Sequence, residues 1–174
     1  MPRYIAFLRG VSPMNARMPE LQRAFEAAGF SEVKTLLSSG NVVFNARSAG
    51  LPVIARRAEK AMLATLGRSF DVYLRSSMDM QRLIESEPHA GFGLPPEAKP
   101  VVTFLRGPPS APPALPVTRD GASILTIIGA EVIGAYLPDA NGANGPAFMA
   151  LLERSFSKQI TTRTLETVRK CALA

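Results

Sequence analysis

The chain has 174 residues, 47% of them apolar and 20% charged, and twenty Lys and Arg against fourteen Asp and Glu give it a net charge of +6. A chain this long buries roughly 70% of its unfolded surface, so it needs no disulfide or metal staple to fold. One cysteine, Cys171, and one histidine, His89, exclude a disulfide framework, multi-cysteine zinc patterns and HExxH chemistry. No metal and no cofactor are expected, and the basic balance points to anionic partners. Residues 1–10 lack the apolar core of a signal peptide. The longest apolar segment, 124–137, is broken by Thr126, Gly129, Glu131 and Gly134, so no window approaches the roughly 18 apolar residues of a membrane span. The expectation is a cytoplasmic protein with no membrane partner.

In chain order, residues 3–9 (RYIAFLR) predict a buried strand ended by Gly10. A loop over 10–17 holds Ser12, Pro13 and Asn15. Pro19 suits a first helical turn and Glu20 complements its dipole, with Leu21, Ala24, Phe25 and Ala28 as the apolar stripe and Gly29 as the stop. Residues 33–37 and 42–45 predict two strands around the turn Ser38-Ser39-Gly40-Asn41. A second helix follows Pro52, with Ile54, Ala58, Ala61, Met62 and Thr65 on one face and Gly67 as its stop, and residues 71–75 predict a strand. Strand, helix, strand, strand, helix, strand is the ferredoxin-like pattern.

A short helix over 78–87 opens the second half, and nine of the fifteen prolines then fall in 88–116. One strand, 101–105, lies between the proline-rich loops 88–100 and 107–116; the stretch 108–116 predicts exposed polyproline II. It is a stiff loop before it is a PxxP peptide ligand. A hairpin over 123–128 and 132–137 turns at Gly129-Ala130, followed by a Gly/Asn loop at 139–146, a helix over 148–156, a strand over 159–162 and a closing helix over 164–172 capped by Thr161 or Thr162. The expected fold is α+β: two ferredoxin-like (βαββαβ-type) subdomains, 1–75 and 76–174, the second degenerate, with an extra C-terminal helix. In the second, a proline loop stands where a crossover helix belongs.

The run YIAFLRGVSPMNARMPELQRAFEAAGF, followed by VKTLLSSGNVVF, resembles the N-terminal signature of the bacterial domain of unknown function 1697 family. The matching positions include Leu8, Arg9, Gly10, Val11, Met18, Leu21, Ser39, Gly40, Asn41 and Phe44, and near the C-terminus Thr162, Arg163, Thr167 and Val168. Ser12 stands where that family has Asn, residues 12–15 replace a glycine-rich loop, Thr164, Leu165 and Glu166 replace part of its C-terminal motif, and 141–148 lacks a basic stretch. The resemblance implies a two-part α+β fold and no particular activity.

Three groups are candidate ligand contacts. Arg9 at a strand end, followed by a loop with Asn15, suits a phosphate or carboxylate, although no GxxxxGK[ST] or GxGxxG is present. Ser39 and Asn41 offer a hydroxyl and an amide on a tight turn, which such residues equally use to satisfy the turn itself. Thr162 and Arg163 precede the last helix, where capping competes with anion binding. A serine nucleophile lacks GxSxG and a nearby histidine, and no catalytic residue emerges. Residues 1–75 hold eleven Lys and Arg against five acids, whereas 76–174 hold nine of each; fifteen of the twenty basic residues are Arg, a bias that GC-rich coding also produces. RNA readout on a ferredoxin-like sheet needs paired aromatics on one face, but Tyr4 and Phe7 fall on opposite faces of the first strand.

The sequence therefore points to non-catalytic binding of an anionic small molecule or nucleic acid. An enzyme acting on a small phosphorylated or carboxylated substrate in a cleft between the halves is the alternative. An interaction protein working through the proline loop ranks third.

Overall fold

The computed structural model describes residues 1–140 and 145–174. Residues 141–144, which carry half of the expected Gly/Asn loop at 139–146 and part of the segment lacking a basic stretch, lie outside them. Two compact units emerge: Met1–Glu85 with Arg169–Ala174, and Ser86–Val168. The sequence boundary at 75/76 falls at the end of a strand, and the helix that follows it groups with the first unit.

In the first unit β1 (Arg3–Leu8), α1 (Met18–Ala27), β2 (Ser31–Leu36), β3 (Asn41–Asn45), α2 (Leu51–Leu66) and β4 (Val72–Ser76) follow one another, and α3 (Ser77–Glu85) comes next. The strands form an antiparallel sheet in the order β2-β3-β1-β4, which is the order produced when each strand pair is split by a helical crossover. Leu21, Ala24 and Phe25 of α1 and Ile54, Ala58 and Met62 of α2 are buried over one sheet face. At the centre Phe44 of β3 stacks on Phe30 with centroids 4.3 Å apart and meets the edge of Phe25 at 5.3 Å. The Arg57 guanidinium lies 5.0 Å over the Phe30 ring, a cation–π contact that ties α2 to the end of α1.

The opposite face of this sheet is buried too. Ile5, Phe7 and Val43 are 0% exposed and Tyr73 1%. Helix α3 packs against β1 and β4, and Gln81 Nε2 donates to the Ala172 carbonyl at 2.8 Å, bringing the end of the C-terminal helix against α3. Arg3 Nε donates to the carbonyl of Ala174 at 2.8 Å.

The second unit contains β5 (Lys99–Phe104), β6 (Val117–Arg119), β7 (Ala122–Ile128), β8 (Glu131–Tyr136), α4 (Gly145–Ser155) and β9 (Thr161–Thr164), and α5 (Leu165–Leu173) begins in it. Its sheet order is β6-β7-β8-β5-β9. Without the edge strand β6, the order β7-β8-β5-β9 places its strands as the first sheet places β2, β3, β1 and β4. No helix crosses between β5 and β7; the proline-rich segment and β6 make that connection. Phe148, Leu151 and Leu152 of α4 cover the sheet, and Leu115 and Val117 from the proline segment pack at the margin of the same core. Gly134 in β8 is required by close approach, since a Cβ there would lie 2.8 Å from both Phe148 Cζ and the Ser123 carbonyl oxygen.

Two expectations change. Thr161 and Thr162 do not cap the last helix; they pair with Phe104 and Thr103 inside β9. The cap is Thr164, whose Oγ1 accepts the Thr167 backbone N–H at 3.2 Å. Between the proline loop and the hairpin, β6 is an added strand whose half-buried Val117 packs on the core.

Candidate functional site

The N-terminal signature folds to one end of the first sheet. Phe7 pairs with Asn41 across β1–β3, and Leu8 with Val72 across β1–β4, so the residues after β1 lie beside the β2–β3 turn and the start of β4. Gly40 makes the closest approach. Its φ is +83°, its carbonyl accepts the Leu8 N–H at 2.8 Å, and a Cβ would sit 2.8 Å from Val11 Cβ. Only glycine combines that dihedral with that contact.

Within this end Arg9 is exposed, its backbone N–H donates to the Asp71 carbonyl at 3.1 Å, and its Nη1 lies 3.8 Å from Asp71 Oδ2. The pair is about two-fifths exposed on each side, so water screens it. Asn15 closes the loop it belongs to: its Nδ2 donates to the Gly10 carbonyl at 2.8 Å and its Oδ1 accepts the Ser12 N–H at 2.9 Å. Asn41 is 0% exposed, and its Nδ2 donates to the Leu36 carbonyl at 3.0 Å and to Ser39 Oγ at 3.1 Å. The Asn15 and Asn41 amides therefore hold their own loop and turn. Arg9 and Ser39 are the members of the group that face solvent.

Asn15 also lines a cavity of about 250 Å³ with Glu20, Arg23, Thr65 and Leu66, where α1 begins and α2 ends. The presence of one carboxylate and one guanidinium leaves it without a net sign.

Thr162 and Arg163 belong to the other unit. Thr162 Oγ1 hydrogen-bonds Thr103 Oγ1 at 2.7 Å and approaches Met149 Sδ at 3.9 Å. Arg163 is 8% exposed; its Nη1 donates to Thr161 Oγ1 at 2.7 Å and to the Thr162 carbonyl at 2.9 Å. This guanidinium fastens β9 to itself. The structure thus collects Arg9, Asn15, Ser39 and Asn41 at one end of one sheet and places Thr162 and Arg163 in the ladder of the other.

His89 has a structural use. Its Nε2 lies 3.1 Å from the Val101 carbonyl and 2.9 Å from the Gly134 carbonyl, which belong to paired residues of β5 and β8. Burial holds its pKa below the ordinary 6.5, and the two carbonyl acceptors oppose that shift. Cys171 is buried. Among the described residues no group of three or more His, Cys, Asp or Glu is placed to hold a metal ion, and no helix is long and apolar enough to cross a membrane.

A second cavity, of about 350 Å³, lies wholly in the second unit between residues 105–111 and 155–159. Its lining comes from two separate segments, neither of which forms a motif, so no sequence signal marks it.

Two antiparallel sheets with their helices define an α+β protein. The chain belongs to the family described as protein of unknown function (DUF1697), whose model matches residues 1–129; the C-terminal positions of the resemblance lie beyond that segment. A solved structure, a conserved bacterial protein from Streptococcus pneumoniae, superposes with a TM-score of 0.70 at 18% identity, covering 99% of this chain and 97% of its own. At that identity the likeness carries the fold alone. No curated protein matches the chain.

Proposed function

We propose that the first unit binds anionic ligands through phosphate contacts, nucleic acid foremost, without performing chemistry on them. The charge partition carries this reading. The first unit holds fourteen Lys and Arg against seven Asp and Glu; the second holds six against seven. Arg17, Arg23, Arg47, Arg56, Lys60 and Arg68 are exposed, and among the described residues none of them is in an ion pair. Unpaired surface cations concentrated on one unit attract polyanions and release their counterions on binding.

The mode differs from stacking on a sheet. With Phe7 and Tyr73 buried on one face and Tyr4 and Phe44 on the other, no strand aromatic meets a base. Contacts come from helices and loops and are made to the phosphate backbone, which makes them sequence-tolerant. Fluorescence anisotropy with labelled duplex DNA, duplex RNA and single strands tests this. The slope of log Kd against log salt is expected to fall by about 3 when Arg23, Arg56 and Lys60 are all changed to Gln, roughly one unit for each phosphate left without its cation. No binding at low salt, or a slope indifferent to the triple substitution, ends the proposal.

A further inference from the structure

The first unit combines a basic helical layer with aromatic side chains that are all buried. We propose that the nucleic acid it takes is a duplex, DNA or RNA, held by its two phosphate backbones, and that it selects against single strands. This deepens the phosphate-binding reading above and rests on it.

Helices α1 and α2 run antiparallel over one face of the sheet. Glu20 and Arg23 of α1 line one cavity with Thr65 and Leu66 at the end of α2, and Arg57, in the first half of α2, lies over Phe30 just past the end of α1. On α2, Arg56, Lys60 and Leu63 are exposed and follow one another at i, i+4 and i+7, a single row along the helix. Arg23 is exposed on α1; Arg17 precedes α1 and Arg68 follows α2, at the end the two helices share. Sixteen residues make α2 about 24 Å long, so the cations are spread along a rigid surface. Three acids share the two helices. Glu59 Oε1 accepts the Val72 N–H at 3.2 Å, Glu26 Oε1 accepts from Gln22 Nε2 at 3.0 Å, and Glu20 is half-buried.

Such a surface favours a duplex for two reasons. A duplex carries one charge per about 1.7 Å of its axis and a strand one per about 3.4 Å, so the same row meets twice the charge density. A duplex is also stiff over about 150 base pairs, its phosphates already spread, whereas a flexible strand must be ordered along the row at an entropic cost. Proteins that hold single strands offset both deficits by stacking bases on aromatic side chains. The first unit cannot: its seven aromatic side chains, from Tyr4 to Tyr73, are all buried, none more than 8% exposed, and the chain has no Trp. The exposed aromatic Phe92 belongs to the second unit, which has no basic excess.

The test uses the full chain and fluorescence anisotropy at one fixed salt concentration. The probes are a mixed-sequence DNA duplex, the RNA duplex of the same sequence, and oligo(dT) and oligo(U) of the same length; the two duplexes compare B-form with A-form as the source of the phosphates. Each duplex is expected to bind at least about tenfold more tightly than either single strand. A gain-of-function variant probes the missing stacking. Leu63 is 58% exposed in the row with Arg56 and Lys60, so Leu63→Trp is expected to keep the melting temperature, to tighten oligo(dT) binding about fivefold or more, and to leave the duplexes within about twofold. Met78→Trp, equally exposed but on α3, is expected to leave all four probes within about twofold. A single strand that binds the parent as tightly as either duplex overturns the proposal, as does a Leu63→Trp variant no better for oligo(dT) than Met78→Trp. Equal binding of strands and duplexes with a salt slope that still falls in the Arg23, Arg56 and Lys60 triple variant overturns the duplex selectivity alone; no binding of any probe overturns the phosphate surface with it.

Discussion

The two sheets arrange four strands in the same order and fill the space above them in opposite ways. In the first unit the third strand supplies the bulk: Phe44 of β3 rises into Phe25 and Phe30 at the end of α1. In the second unit the matching strand, β8, supplies none at its centre. Gly134 leaves a hollow, and Phe148 comes down from α4 to fill it. The second unit also lacks a counterpart of α1. Leu115 and Val117, carried by a proline-stiffened connection, cover the margin that a helix would cover. Strand order therefore survives the loss of a crossover helix when another element delivers apolar volume to the same place, because a sheet face needs burial and not a particular secondary structure.

That exchange of bulk is open to a double-mutant cycle. Phe44→Ala and Phe148→Ala are each expected to cost about 4 kcal/mol of unfolding free energy. Gly134→Ala alone costs about 3 kcal/mol, since the new methyl meets a ring and a carbonyl oxygen at 2.8 Å. Combined with Phe148→Ala, the ring half of the clash disappears, and the pair is expected to cost at least about 1 kcal/mol less than the sum. Urea titrations measure all four. Strict additivity would show that Phe148 and Gly134 do not fill one space.

How much of this was legible in the sequence follows from which signals are local. Leu21, Ala24 and Phe25 at helical spacing after Pro19 mark α1, and Gly67 marks the end of α2, because the covering face and the stop are written within a few residues. β6 was not legible: its three residues, Val117–Arg119, have one half-buried side chain and no alternation to detect. The cap of α5 was ambiguous because 161–164 reads Thr-Thr-Arg-Thr, and only pairing with β5 draws Thr161–Thr164 into the ladder and leaves the last hydroxyl at the helix start. Ser39 and Asn41 were legible as a turn. That Asn41 spends its amide on Leu36 depends on backbone that the turn itself brings near.

Asn41, buried, and His89, half-buried, then compare how each unit fixes its strands with a polar side chain. Asn41→Ala removes the side-chain hydrogen bonds to the Leu36 carbonyl and Ser39 Oγ at a site with no exposure; a loss of about 2 kcal/mol is expected. His89→Ala removes one shared donor from two carbonyls and is expected to cost about 1 kcal/mol at about pH 8. The histidine adds a pH dependence that Asn41 cannot. Its folded pKa lies below 6.5, so the unfolded chain binds more protons at and below that pH. Its contribution is complete above about 6.5 and declines as the pH falls through 6.5 toward the folded value. Chemical denaturation between about pH 8 and pH 5 should show a shallower decline in His89→Ala than in the parent, and parallel curves would refute the assignment.

The smallest effect belongs to Arg9, and its smallness makes it informative. The guanidinium reaches Asp71 at 3.8 Å with about two-fifths of each side chain exposed, so the ion pair contributes at most about 0.5 kcal/mol. The rigid link at that point is backbone, Arg9 N–H to the Asp71 carbonyl, which a side-chain substitution leaves in place. Arg9→Gln is therefore expected to leave the urea midpoint nearly unchanged while removing one cation from the end of the first sheet. If Arg9 contributes to the phosphate surface, the salt slope for nucleic acid falls by about one unit at constant stability. If the slope holds, anion binding belongs to Arg23, Arg56 and Lys60, and the loop after β1 is a structural seam between β1, β4 and the Ser39–Asn41 turn. A drop in stability of more than about 1 kcal/mol would mean instead that the second unit is not alone in committing a guanidinium to its fold, as Arg163 does in β9.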